Sequence, residues 1–202
     1  MVYLLRHGEI EQGGMKRFVG HADLPLNENG LRQACLWRRK LKTALFEKIY
    51  SSDLSRTRKT AFIIAGHQQE KVQLLPAFRE INLGEWEGLP VAEAQARFPE
   101  DWRRREKDLV TFRPPGGESF RDLAGRIGPV FDQIVQGLER DILIVAHAGV
   151  NRVILCQVLG MDLANIFRLG QDYGSLNILE RNKDDWRVVA MNIPADHYAP
   201  PA

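Results

Sequence analysis

Two short apolar runs constrain this chain more than anything else in it. Residues 2–5 (VYLL) stop at Arg6-His7-Gly8, and residues 142–146 (ILIVA) stop at His147-Ala148-Gly149. Runs of four or five β-forming residues bounded in this way read as buried strands. The second is apolar throughout, as a strand covered on both faces must be. Strand tips that each deliver a histidine are how an α/β protein builds a charged pocket, because ligands in such sheets bind beyond the C-terminal strand ends. In the first copy Arg6 supplies a planar donor fork suited to phosphate oxygens. Gly8 lets the backbone approach a ligand closely.

Between these runs, strands alternate with helices. Residues 9–25 hold Gly13, Gly14, Gly20 and Pro25 without a clear period, which predicts a long loop of the functional kind. A helix follows from about residue 28, with Asn27 as its cap. Its apolar face is expected to carry Leu31, Ala34, Cys35, Leu41 and Leu45, with Arg38 at the edge. Residues 48–51 read as a strand. Ser52 or Asp53 can cap the next helix, which runs to about residue 65. Residues 72–75 read as a third strand. Residues 77–90 are irregular, and two polar helical segments follow near 91–97 and 100–109. After Pro114-Pro115-Gly116-Gly117, Glu118 or Ser119 opens a long helix to about residue 138. A helix over 149–159 ends at Gly160. Residues 175–179 and 186–191 suggest two last strands, and an extended tail starts at Pro194. The pattern predicts a three-layer α/β/α sandwich with a largely parallel sheet. Residues 1–202 read as a single domain, with about 77–118 as a cap-like helical insertion over the site.

Composition narrows the function classes. The 202 residues carry 28 basic and 26 acidic side chains, a net charge of +2. That lacks the basic excess of a nucleic-acid or membrane-surface binder, so neither partner is expected. No run approaches the roughly 18 apolar residues that span a bilayer. The two cysteines, Cys35 and Cys156, lie in apolar helical patterns without metal-like spacing. They read as reduced, buried thiols of a cytoplasmic protein.

Four clusters carry chemistry. A lone histidine more often caps a turn or fills a core, but Arg6 and Gly8 make His7 a phosphate-site residue. His147 precedes a helix whose first N–H groups favour an anion. Within SSDLSRTRKTA (51–61), Arg56, Arg58 and Lys59 fall in the first turns of a helix, where the macrodipole disfavours cations. Arg56 shares a face with Thr60 and should point inward, while Arg58 and Lys59 should be solvated. In FREINLGEWEG (78–88), Glu85 and Glu87 read as a solvated acidic loop. Glu80 lies beside apolar residues, where a carboxyl can retain a proton to donate.

In this order, these segments resemble the histidine phosphatase superfamily, the phosphoglycerate mutase-like fold. The resemblance rests on Arg6-His7-Gly8, on LSRTRKTA at 54–61, on EINLGEWEG at 80–88 and on VAHAGVNR at 145–152. GHADLPLNENG at 20–30 and PGGES at 115–119 fit between them. It implies a metal-free and cofactor-free phosphoryl transfer. His7 would be the nucleophile, Arg6, Arg56 and His147 the phosphate ligands, and Glu80 the general acid and then base. Arg17 and His21, with Trp86, are candidates to touch the organic part of a small phosphorylated metabolite, with loop packing the alternative reading. Ile10 and Gly13 depart from the family pattern after the glycine of Arg-His-Gly, which makes the substrate loop unusual.

The interval from Glu80 to His147 is short beside that of the mutases, which implies a phosphatase. The overall pattern is most similar to the α-ribazole-5′-phosphate phosphatases of cobalamin biosynthesis. Broad-specificity and phosphoserine phosphatases share much of it. Two further readings are a non-catalytic phosphate binder, which should have lost His7 or Glu80, and a metallohydrolase using His7, His21 and His147, for which a compact ligand motif is missing. The apolar Ile178-Leu179 segment suggests the edge of a homodimer.

Overall fold

The computed structural model describes residues 1–11, 14–183 and 185–199. Its centre is a pair of parallel strands, β1 (Val2–Arg6) and β4 (Ile142–Ala146), aligned so that Arg6 faces Ala146. The other strands are β2 (Lys48–Ser51), β3 (Val72–Leu74), β5 (Leu176–Asn182) and β6 (Asp185–Ile193). The order across the sheet is β3-β2-β4-β1-β5-β6. The first four are mutually parallel, and β5 and β6 join antiparallel. The sheet is therefore mixed, with the parallel half carrying both histidine tips.

Alternation along the central strands sends side chains to two separate cores. Val2, Leu4, Ile142 and Ile144 pack with Leu123, Ile127 and Phe131 of α5 (Phe120–Val135) and Val150 and Ile154 of α6 (Ala148–Leu159). Tyr3, Leu5, Leu143 and Val145 pack on the other face against Trp37 of α1 (Glu28–Lys40) and Ala61 and Ile64 of α2 (Ser55–Ala65). Each fully buried Leu, Ile or Phe contributes about 1.5–3 kcal/mol relative to exposure. The three layers are those expected. Helix α5 starts at a capping box: Ser119 Oγ accepts from the Asp122 N–H, and the Asp122 carboxylate accepts from the Ser119 N–H.

The segment between β3 and α5 holds α3 (Val91–Arg97) and α4 (Pro99–Lys107). These close over an aromatic cluster of their own, in which Trp86 and Phe112 are buried against Phe18, Phe98 and Trp102. The contact with Phe18 ties this cap to the loop after β1.

Several local expectations need correction. The buried face of α1 is Gly30, Ala34 and Trp37, continued by Leu41 beyond its end, while Leu31 is exposed and Leu45 is 79% exposed. Tryptophan won that face: Trp37 is fully buried and its indole N–H donates to the Gly174 carbonyl at 2.6 Å. Cys35 is consequently exposed and only Cys156 is buried. Neither Ser52 nor Asp53 is the N-cap of α2. Leu54 holds that position without a side-chain bond, and Asp23 accepts from the Ser55 N–H at 2.7 Å instead. The tail does not simply extend from Pro194. It turns at residues 195–197 and buries Ala195 and Tyr198, the latter against Trp37. Ile178 and Leu179 cannot form a dimer edge, because β5 lies inside the sheet between β1 and β6. Gly13 lies outside the described residues.

Candidate active site

Sheet register explains why the site exists. His7 and His147 follow neighbouring parallel strands at the same level, so their ring centroids lie 5.1 Å apart. Strand β2 is in register on the other side of β4, with Ser51 opposite Val145, which brings Ser52 beside His147. Gly8 leaves the sheet against the start of α1, where a Cβ would meet the Gly30 carbonyl oxygen at 2.4 Å. The close approach requires a glycine there.

His7 is 3% exposed. Its Nδ1 lies 2.7 Å from the Gly8 carbonyl oxygen. A carbonyl only accepts, so Nδ1 carries the proton and the neutral ring keeps its lone pair on Nε2. Burial, then the charges of Arg6 and Arg56, hold the His7 pKa well below the ordinary histidine value. The imidazole is thus neutral, as a nucleophile must be. Arg6 donates to the Gln171 carbonyl at 2.7 Å, and its guanidinium lies 3.6 Å over the ring of Tyr173.

Arg56 points inward, 1% exposed, whereas Arg58 and Lys59 are exposed. Its terminal nitrogens donate to the Gly20 and Ala22 carbonyls at 2.6 and 2.7 Å, and Nε donates to His147 Nδ1 at 3.3 Å. His147 is fully buried, and burial followed by the Arg56 charge pushes its pKa well down.

Glu80 is 9% exposed at the base of the cap. One carboxylate oxygen accepts from the Ile81 N–H at 2.9 Å, the other from the Gly149 N–H at 3.0 Å. Gly149 lies in the first turn of α6, where N–H groups lack helical partners. A Cβ there would lie 2.3 Å from a Glu80 oxygen, so this glycine admits the carboxylate. Arg126 braces the segment from behind, donating to the Arg79 and Glu80 carbonyls and to Glu118.

Beyond Glu80 lies a cavity of about 230 Å³ under the cap. Phe18, Leu83, Leu109, Phe112, Phe120 and Phe167 line it, together with Arg17, Arg105 and Arg152. Arg17 reaches this wall, half-buried, while donating to the Gly88 carbonyl at 2.9 Å. His21 does not line the cavity. Its Nε2 donates to the Glu80 carbonyl at 2.9 Å, so it supports the acid from the protein side.

Sequence reasoning missed Glu87, which is no solvated loop residue. Its carboxylate accepts from the N–H groups of Gly20, His21, Ala22 and Leu83 at 2.7–3.1 Å. It folds the loop whose carbonyls hold Arg56. The tryptophan and glycines around it were the available signal. Ser52 and Tyr173 were also missed, because each depends on contacts far apart in sequence.

A model of the histidine phosphatase superfamily (branch 1) matches residues 2–194, and the chain belongs to that family. Phosphoserine phosphatase 1 of Hydrogenobacter thermophilus is 31% identical over 193 residues, covering 94% of this chain and 90% of that one. The mycobacterial glucosyl-3-phosphoglycerate phosphatase, solved with VO3, superposes with a TM-score of 0.84 at 30% identity over 95% of this chain and 98% of its own. The α-ribazole phosphatase of Shigella flexneri shares the fold with a TM-score of 0.89, at 24% identity over 96% of both chains. Some mycobacterial relatives, 35% identical, are longer: the chain spans 49% of their length.

Proposed function

We propose that this protein hydrolyses a small phosphorylated metabolite through a phosphohistidine at His7. The observation that carries the reading is the Nδ1–H bond to the Gly8 carbonyl, which leaves the lone pair of a buried, neutral imidazole on Nε2. In the first step Nε2 attacks phosphorus and the ester oxygen leaves. Arg6, Arg56 and His147 stabilise the charge on the equatorial oxygens, which is most of what phosphoryl transfer requires. Glu80 gives the leaving oxygen its proton, typically worth about 10²–10⁴ in rate. Glu80 then takes a proton from the water that attacks the phosphoenzyme. The short cap favours water over return of the phosphoryl group to a sugar acid, hence hydrolase over mutase.

For the organic half, our first reading is α-ribazole-5′-phosphate. The aromatic walls beside Glu80 suit a flat heterocycle, and the fold is shared with an α-ribazole phosphatase. A carboxylate-bearing ester such as phosphoserine is the second reading, favoured by Arg17, Arg105 and Arg152 on the same cavity. We place the enzyme in the cytoplasm, with two free thiols. Among the described residues no helix is long and apolar enough to cross a membrane. A kinetic panel decides between substrates: kcat/KM for α-ribazole phosphate should far exceed that for phosphoserine and 3-phosphoglycerate. Equal values across the panel would remove the cobalamin assignment. Activity that survives a strong chelator would retire the metallohydrolase alternative.

A further inference from the structure

His147 has both ring nitrogens engaged, and their partners fix its proton. Nδ1 faces Arg56 Nε at 3.3 Å, a group that only donates, so Nδ1 is bare. Nε2 lies 2.8 Å from Ser52 Oγ. That hydroxyl is itself 2.6 Å from Thr57 Oγ1, and Thr57 Oγ1 donates to the Leu54 carbonyl at 2.9 Å. A carbonyl cannot donate back. With Nδ1 bare the neutral ring carries its proton on Nε2, so Ser52 Oγ accepts from Nε2–H and gives its own proton to Thr57, whose proton goes to the Leu54 carbonyl or, at 3.2 Å, to that of Ser52. Ser52, Thr57 and His147 are all fully buried, so water does not reorder the chain.

We propose that Arg56 on one side and Ser52 with Thr57 on the other hold the His147 proton on Nε2, so that His147 meets a phosphoryl group by gaining a second proton on Nδ1, not by exchanging tautomers. The inference rests on the phosphoryl site proposed above. Phosphoryl oxygens accept hydrogen bonds, and a bare Nδ1 facing them would repel. The chain from Nε2 ends at a backbone carbonyl and carries no proton away. The proton for Nδ1 comes from the bound monoanion. Its O–H bond breaks with the electron pair staying on oxygen, and the Nδ1 lone pair takes the proton. An imidazolium then faces a dianion. Burial, then the fixed charges of Arg56 and Arg6, oppose a charge on this ring. The added negative charge on phosphate offsets that opposition. Arg56 Nε, released from Nδ1, donates to a phosphoryl oxygen instead. Ser52 is thus a positioning residue that acts through His147.

The test is nitrogen NMR on protein labelled with ¹⁵N-histidine, with and without inorganic phosphate or vanadate. In the free protein His147 should show one protonated nitrogen, Nε2, and one bare nitrogen. With the oxyanion bound, both should be protonated. A free ring protonated on Nδ1, or a bound ring with a single proton, would overturn the proposal. If neither His7 nor His147 responds to either oxyanion, the phosphoryl site fails and this assignment fails with it. If His7 responds and His147 keeps one proton, only this assignment fails. In Ser52→Ala the Nε2–H loses its acceptor while Arg56 still holds Nδ1 bare, so the Nε2 resonance should shift, with kcat reduced roughly tenfold and KM changed less, while Ser52→Thr restores both. Wild-type kinetics and an unchanged ring spectrum in Ser52→Ala would refute the role. Should that variant not fold, the wild-type spectra alone decide.

Discussion

Replacing Glu87 by glutamine changes one atom and should damage both stability and activity. One carboxylate oxygen accepts from His21 and Leu83, the other from Gly20 and Ala22. Glutamine has one acceptor oxygen, so two of the four N–H groups would face an NH₂ group. A stranded donor costs about 1–3 kcal/mol, and the half-buried loop argues for the lower end, so the loss is about 2–3 kcal/mol. For a chain of this size that lowers Tm by about 4–12 °C. The loop's Gly20 and Ala22 carbonyls hold Arg56, so kcat/KM should also fall about 10- to 100-fold, or about 1.4–2.7 kcal/mol of transition-state stabilisation. Calorimetry and steady-state kinetics on Glu87→Gln measure both, with exposed Glu85→Gln as a control that should change neither. A Tm within about 1 °C of wild type, with kcat/KM unchanged, would refute the argument that Glu87 organises the Arg56 loop.

Gly149→Ala would put a Cβ 2.3 Å from a Glu80 oxygen and displace the acid. Its kcat should fall far more for alkyl phosphates than for 4-nitrophenyl phosphate, whose leaving group needs no proton; equal losses would argue against Glu80 as the acid. His7 and His147 have folded-state pKa values pushed below the unfolded value of about 6.5. The unfolded chain therefore binds more protons below that pH, and stability is retained above it and lost as pH falls. Each ring contributes up to about 1.4 kcal/mol per pH unit, which urea titrations in phosphate-free buffer would show as a smaller slope in His147→Ala. Ser119→Ala removes the cap of α5 and should cost about 1 kcal/mol in the same assay.

How legible the site was depended on how local its determinants are. Strand β4 and its histidine could be read directly, because a five-residue apolar run allows little else. Arg56 was legible from its place in a helix start where a cation is unfavourable without an anion. The buried face of α1 was misjudged because leucines and a cysteine fit the helical period, yet Trp37 has the larger area and a hydrogen-bond partner at Gly174. Ser52 could not be read, since its partner arrives only when β2 aligns with β4, and Glu87 was marked only by the tryptophan and glycines beside it, its own partners arriving when loop 20–22 folds under the cap. For His21 the sequence leaves substrate contact and loop packing both open, and the structure gives it a bond to the backbone of Glu80. A polar side chain near a site has the same sequence signature whether it faces ligand or protein.

The central claim is covalent chemistry at His7. Acid or alkaline quench of turnover with a ³²P-labelled phosphomonoester, followed by peptide mapping, tests it most directly. The account predicts acid-labile, alkali-stable label on the peptide containing His7, absent in His7→Ala and accumulating in Glu80→Gln when the substrate is 4-nitrophenyl phosphate, whose leaving group needs no proton, as hydrolysis slows. Turnover with no label on His7, or full activity in His7→Ala, would contradict it.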